Sequence, residues 1–139
     1  MERVLVREDR IALTEVKRGK ELLDRMVRIS GGEIEAAIVV GEDGLALFYS
    51  SSKPMDVDAV SACTTALIGA LTSGLSLLDQ EGFDRVDVKL GDNSHLVLVP
   101  LDGVLLVVKT RANPNIGLVY LVIERFKDRI LELIARARG

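Results

Sequence analysis

The sequence predicts an α/β (α+β) domain: a five-stranded antiparallel sheet with one helix on one face and two on the other, in the order α-β-β-α-β-β-β-α. Three observations carry this. The links inside each strand group, Gly41-Glu42-Asp43-Gly44, Gly91-Asp92-Asn93-Ser94 and Asp102-Gly103, are tight turns that suit antiparallel pairing. The runs LVLV at 96–99 and VLLVV at 104–108 are continuously apolar, which calls for cover on both sheet faces. Three helical stretches are available to give that cover.

Taken in order, residues 1 to 13 alternate apolar runs (Val4 to Val6, Ile11 to Leu13) with charges and fit either a short strand or an extension lying on the domain. The domain itself runs from 14 to 139. Thr14 is placed to cap a first helix with Val16, Leu23, Met26, Val27 and Ile29 facing inward, and Gly31-Gly32 ends it with residues that tolerate positive φ. Ala36 to Val40 and Leu45 to Tyr49 make a hairpin around Asp43-Gly44. Ser50 to Met55 form a loop, after which Asp56 or Asp58 caps a long second helix. From Asp84 the pattern has period two, with Val86, Val88 and Leu90 on one side and Arg85, Asp87 and Lys89 on the other, as in a half-exposed edge strand. His95 to Leu101 and Val104 to Val108 complete a meander. Asn113-Pro114-Asn115 starts the last helix, whose inner stripe is Val119, Val122, Ile123, Phe126, Ile130, Leu133 and Ile134, with Arg125, Lys127, Asp128, Arg129, Glu132 and Arg136 outside.

The second helix is the unusual element, because Ala59 to Leu78 carries no charge over twenty residues. Val60, Cys63, Leu67, Leu71 and Leu78 form the stripe expected to meet the sheet. Where a surface helix would carry Lys and Glu, this one has two rows of small residues, Ala62, Ala66, Gly69, Ser73 and Thr65, Gly69, Thr72, Ser76. Such rows let another backbone approach, and interior Gly69 and Gly74 each cost roughly 1 kcal/mol of helix propensity. The face fits either cover by a partner or plain solvation. The stretch has the length of a membrane span, but six Ser/Thr hydroxyls lie within it and its flanks are acidic (Asp56, Asp58, Asp79, Glu81), so a soluble helix is expected.

Composition bounds the function. A chain of 139 residues suits one domain with one core, 48% apolar and 28% charged, neither disordered nor fibrous. A net charge of −3 with three Phe, two Tyr and no Trp argues against nucleic-acid binding. A single cysteine, Cys63, excludes an internal disulfide, and the charged N-terminal ten residues lack the apolar region of a secretory leader, so a cytoplasmic location is expected. Chemistry is hard to find. His95 is the only histidine and has no nucleophile motif beside it. Cys63 is expected to be a buried, inert thiol. The Gly41 to Gly44 turn is followed by a strand rather than the helix of a phosphate loop. Asp87, Asp92 and Asp102 have no calcium-loop spacing and are expected to be solvated or turn-forming. No catalytic residue, cofactor or metal ligand is assigned.

The segments Ala36-Ala37-Ile38-Val39-Val40-Gly41-Glu42-Asp43-Gly44-Leu45, the uncharged helix, His95-Leu96-Val97-Leu98-Val99-Pro100 and Asn113-Pro114-Asn115-Ile116-Gly117-Leu118-Val119, in that order, resemble the Roadblock/dynein light chain family, above all its prokaryotic MglB-like members. The resemblance spans about residues 15 to 137. It implies a profilin/longin-like Roadblock architecture and a homodimer in which the third strand pairs with its mate while the second helices lie side by side. It implies further that a Ras-like small GTPase docks on the dimer, which either modulates GTP hydrolysis without donating a catalytic residue or tethers the GTPase passively. No extension suited to binding a dynein motor is seen.

Residues and resemblance together give the expected sites. Ala62, Ala66, Gly69, Ser73 and the strand residues Arg85, Val86, Asp87, Val88 and Lys89 are expected at the dimer interface; Thr65, Gly69, Thr72 and Ser76 are expected to dock the GTPase. A roll of the helix by one row would move the docking platform to Ala62, Ala66 and Ser73, and the polar side of the strand could instead guard a lone edge against aggregation.

Overall fold

The computed structural model describes residues 12–138. The elements are α1 (Leu13–Ile29), β1 (Ile34–Gly41), β2 (Ala46–Ser51), α2 (Val57–Ser76), β3 (Val86–Lys89), β4 (His95–Leu101), β5 (Val104–Thr110) and α3 (Ile116–Ala137). Of the segment 1 to 13, residues 1 to 11 lie outside the described residues, and Leu13 already belongs to α1.

The strands form one antiparallel sheet in the order β2-β1-β5-β4-β3. The hairpin and the meander turn where the sequence places them, with Gly44 at φ +82°, Asn93 at φ +68° and Gly103 at φ +78° supplying the left-handed conformation of the three turns. Alternation divides the strand side chains between two cores. On one face Ala37, Val39, Val97, Val99, Leu106 and Val108 meet Leu23 and Met26 of α1 and Val119, Val122, Ile123, Phe126, Ile130 and Ile134 of α3. On the other face Ile38, Val40, Leu98, Leu105 and Val107 meet α2 through Val57, Val60 and Ile68, with Met55 just before it. One helix therefore covers one face and two cover the other, as the sequence predicts.

Local details differ from expectation at three places. The N-cap of α1 is Ala12, which makes no side-chain bond, rather than Thr14. Ile29 points outward at the end of the same helix, while Gly19, whose role the pattern hides, is buried because a Cβ there would fall 2.5 Å from the Phe48 ring. In α3 every residue of the inner stripe is buried except Leu133, which is half-buried against the core. Caps elsewhere follow the sequence: Asp56 Oδ1 accepts from Ala59 N at 3.1 Å, and Asn115 Oδ1 accepts from Leu118 N at 3.2 Å.

Candidate protein-interaction site

The α2 helix is seated on the sheet by a narrow line of residues. Only Ser61 and Thr64 are buried along its length, with Val57, Val60 and Ile68 half-buried beside them. The contact side is thus rolled by roughly 60° from the stripe of large apolar residues, taking 100° per residue. Cys63, Leu67 and Leu78, expected to face the sheet, are exposed instead, Leu67 to 41% and Leu78 to 68%. Cys63 is accordingly a surface thiol and not a core residue. The cause is local chemistry: Ser61 Oγ donates to Val57 O at 2.7 Å and Thr64 Oγ1 to Val60 O at 2.9 Å, so small hydroxyl residues can be buried without an unsatisfied donor and let the helix approach the sheet closely.

The outward surface is the consequence. Ala62, Ala66, Gly69 and Ser73 are all exposed, and an added Cβ at Gly69 would meet nothing within 4 Å. Thr72 and Ser76 are exposed as well, whereas Thr65 is half-buried where the Gly44 turn comes up against it. Thr72 Oγ1 donates to Ile68 O at 2.8 Å and Ser76 Oγ to Ser73 O at 2.7 Å. These two hydroxyl protons are spent inside the helix, so the outward surface is uncharged and Thr72 and Ser76 offer it acceptors rather than donors. Among the described residues α2 is also the one helix long and apolar enough to cross a membrane by length and composition, with a mean hydropathy of 1.4. Beside it a cavity of about 260 Å³ opens between Thr65, Ile68 and the two turns at Gly41 and Gly103.

At the far side of the sheet β3 pairs only with β4, so its outer edge is free of other described strands. Val86 and Val88 are half-buried, with Val86 packed on the α2-side core, while Arg85, Asp87 and Lys89 are exposed at the surface on the α3 side. Asp87 is not simply solvated, as expected from its spacing. Its carboxylate lies 2.6 Å from His95 Nδ1 through Oδ1 and accepts from the Tyr120 hydroxyl through Oδ2. The Arg85 guanidinium lies over the Tyr120 ring at 3.8 Å. Partial burial, and then the Asp87 carboxylate, hold the Tyr120 phenol above its ordinary pKa. His95 is thereby a structural partner of the strand, and Asp92 forms its turn by accepting from Ser94 N at 2.9 Å. Among the described residues no cluster of three or more His, Cys, Asp or Glu could hold a metal ion.

All the residues expected at the interface therefore reach the surface in part or in full, on two separate features: the outward side of α2 and the edge strand β3. The exposed Cys63 and Leu67, and Leu77 beyond the end of the helix, join that uncharged surface and were missed as members of it. Their signal was present, since an uncharged stretch this wide exceeds what one sheet face can cover.

Comparison with protein-family models finds no match. The chain is 28% identical over 97 residues to the uncharacterized protein MJ0714 of Methanocaldococcus jannaschii, a region that covers 70% of this chain and 81% of that protein. In three dimensions it superposes on a structure described as MglB with tetrameric arrangement, with a TM-score of 0.78 at 20% identity, over 88% of this chain and 92% of the other. The gliding protein MglB of Thermus thermophilus gives a TM-score of 0.77 at 20% identity, over 88% and 93% of the two chains. A Roadblock/LC7 domain from Streptomyces avermitilis gives 0.66 at 19% identity, over 81% and 97%. Element order, sheet order and these superpositions agree that the chain has the Roadblock/LC7 fold, in the form that MglB structures show.

Proposed function

We propose that this protein is a non-catalytic, cytoplasmic regulatory homodimer that docks a small GTPase of the Ras-like class and modulates its GTP hydrolysis or switching. The observation that carries the proposal is α2, a twenty-residue helix without Lys, Arg or Glu, of which only Ser61 and Thr64 are buried. An apolar surface of that extent is characteristic of an interaction site. In the proposed dimer the free edges of two β3 strands pair about a twofold axis and bring the two α2 helices side by side. Rolled by about one row as α2 is, Ala62, Ala66, Gly69 and Ser73 face furthest from the sheet; they supply the close approach and head the platform offered to the GTPase, with Thr65, Thr72 and Ser76 on its flank. The protein supplies orientation of the GTPase's own groups rather than a reacting residue. The likeness to MglB, solved as a gliding protein and in a tetrameric arrangement, supports an assembling partner of this kind.

The test is paired. Light scattering at tens of micromolar should give twice the mass of 15.1 kDa; a monomer mass refutes the dimer. GTP hydrolysis by a Ras-like GTPase from the same genome should change when this protein is added in excess. Binding with an unchanged rate leaves a passive adaptor, and absence of binding refutes the docking proposal.

A further inference from the structure

The sheet face opposite α2 carries a second surface. A cleft of about 480 Å³ runs between the outer sides of α1 and α3. On α1 it is lined by Arg18, Leu22 and Arg25, at steps of four and three; on α3 by Arg129, Leu133 and Arg136, at the same steps. Each set is therefore one face of its helix. Leu22 and Leu133 are half-buried and pack on the core, so they form an apolar floor. Arg28 extends the rim. With Glu21 and Glu132 also lining it, the five arginines give the cleft a charge of +3 in a chain whose net charge is −3. Arg18 reaches Glu15 at 3.4 Å, and Arg129 lies 5.4 Å from the centre of the Phe126 ring. Arg25, Arg28, Arg129 and Arg136 form no ion pair with a described residue.

From this we infer that the α1–α3 cleft docks an acidic amphipathic helix of a partner protein, its apolar row on Leu22 and Leu133 and its carboxylates in the arginine forks. Guanidinium groups bind carboxylates bidentately, which a lysine rim would not do. Rows spaced by four and three residues on both walls match the ridges of a third helix laid into the groove. Glu21 and Glu132 stand among the arginines, where the closely spaced phosphates of a nucleic acid or an anionic lipid surface would meet them, while a helix can place its own basic or neutral residues there. The cleft and α2 lie on opposite sheet faces, so the inference is independent of GTPase docking and both sites can be filled at once.

The probe is a fluorescent helical peptide with one leucine row flanked by glutamates, titrated with the full chain and followed by anisotropy. Binding should weaken with salt and vanish when lysines replace the glutamates. Arg25→Glu with Arg129→Glu should weaken it by at least about tenfold, and Arg25→Lys with Arg129→Lys by about threefold through loss of the bidentate fork. Circular dichroism checks that the variants fold; if charge reversal unfolds the chain, the lysine pair decides. The inference is overturned by no binding of the acidic peptide, by equal binding of the lysine peptide, by unchanged affinity in the folded variants, or by tighter binding to phosphatidylserine vesicles or to a single-stranded oligonucleotide.

Discussion

Gly69 offers a substitution pair whose two members respond oppositely to the state of the α2 surface. An added Cβ at this position meets nothing within 4 Å in the single chain, and Gly69 is exposed. In an isolated protomer Gly69→Ala should therefore stabilise by roughly 1 kcal/mol through helix propensity alone, which for a domain of this size raises Tm by about 3 to 4 °C. If a second α2 lies against the row, the same methyl group occupies space the partner backbone needs, and the gain is offset or reversed at concentrations where the dimer forms. Gly69→Arg sharpens the contrast. The protomer should fold, since the side chain can extend into solvent, but burying its charge without a counter-charge in a helix pair costs several kcal/mol and should shift association by at least about a hundredfold. The assay is light scattering over a dilution series, with thermal melts at the lowest and highest concentrations. Dimer mass retained in Gly69→Arg, with a Tm gain in Gly69→Ala that does not depend on concentration, would refute the assignment of this row to a helix pair.

Lys89→Pro removes a backbone donor from the free edge of β3, since Leu90 N bonds Ser94 O and the ladder alternates, and sedimentation should show a weakened dimer with circular dichroism close to the parent. Ser76→Glu and Thr72→Glu place charge at exposed positions that keep helix propensity, and should lower GTPase affinity by about tenfold while the dimer mass stays unchanged. Thr65→Glu should do the same but also cost stability in denaturant melts, because Thr65 is half-buried under the Gly44 turn. The Glu35 carboxylate receives Lys53 Nζ at 2.7 Å and Lys109 Nζ at 3.3 Å, and these bonds, Lys53 first, hold its pKa below the usual carboxylate range. Its contribution is therefore complete above the ordinary Glu pKa of about 4.3 and is lost as pH falls through the lowered folded value. Glu35→Gln should cost up to about 1 kcal/mol at neutral pH, a difference that shrinks in urea melts as pH falls below the ordinary Glu range and through the lowered folded value.

The sheet was legible because its signals are local. Asp43-Gly44 and Asp102-Gly103 specify turns within four residues, and the apolar runs they separate demand two covered faces. The last helix was legible too, since its charges and its apolar stripe occupy separate sides. The seating of α2 was not, because a helical wheel locates a core face only by contrast, and a stretch without charge offers none. Large residues were assigned to the core and hydroxyls to the surface, whereas burial of Ser61 and Thr64 depends on bonds to Val57 O and Val60 O that cost the interior nothing. The ties of Asp87 to His95 and Tyr120 join residues 8 and 33 positions apart, a geometry that only the packed sheet and helix create. The arginine cleft was hidden by averaging, since a net charge of −3 says nothing about how the charges are distributed.

The fastening of β3 to the body of the domain bears on how a mate would find its register. An edge four residues long has few backbone bonds with which to choose among alignments, and a one-residue slip exchanges its two sides. Here Asp87 is held from behind by His95 and Tyr120, and Arg85 rests on the Tyr120 ring, so the side that turns toward α3 is decided during folding. An incoming strand then meets a template that is already set. Little ordering is left to the encounter itself, and in a dimer joined through β3 the recognition of self from near-copies would reside in whether both protomers carry the same fastening.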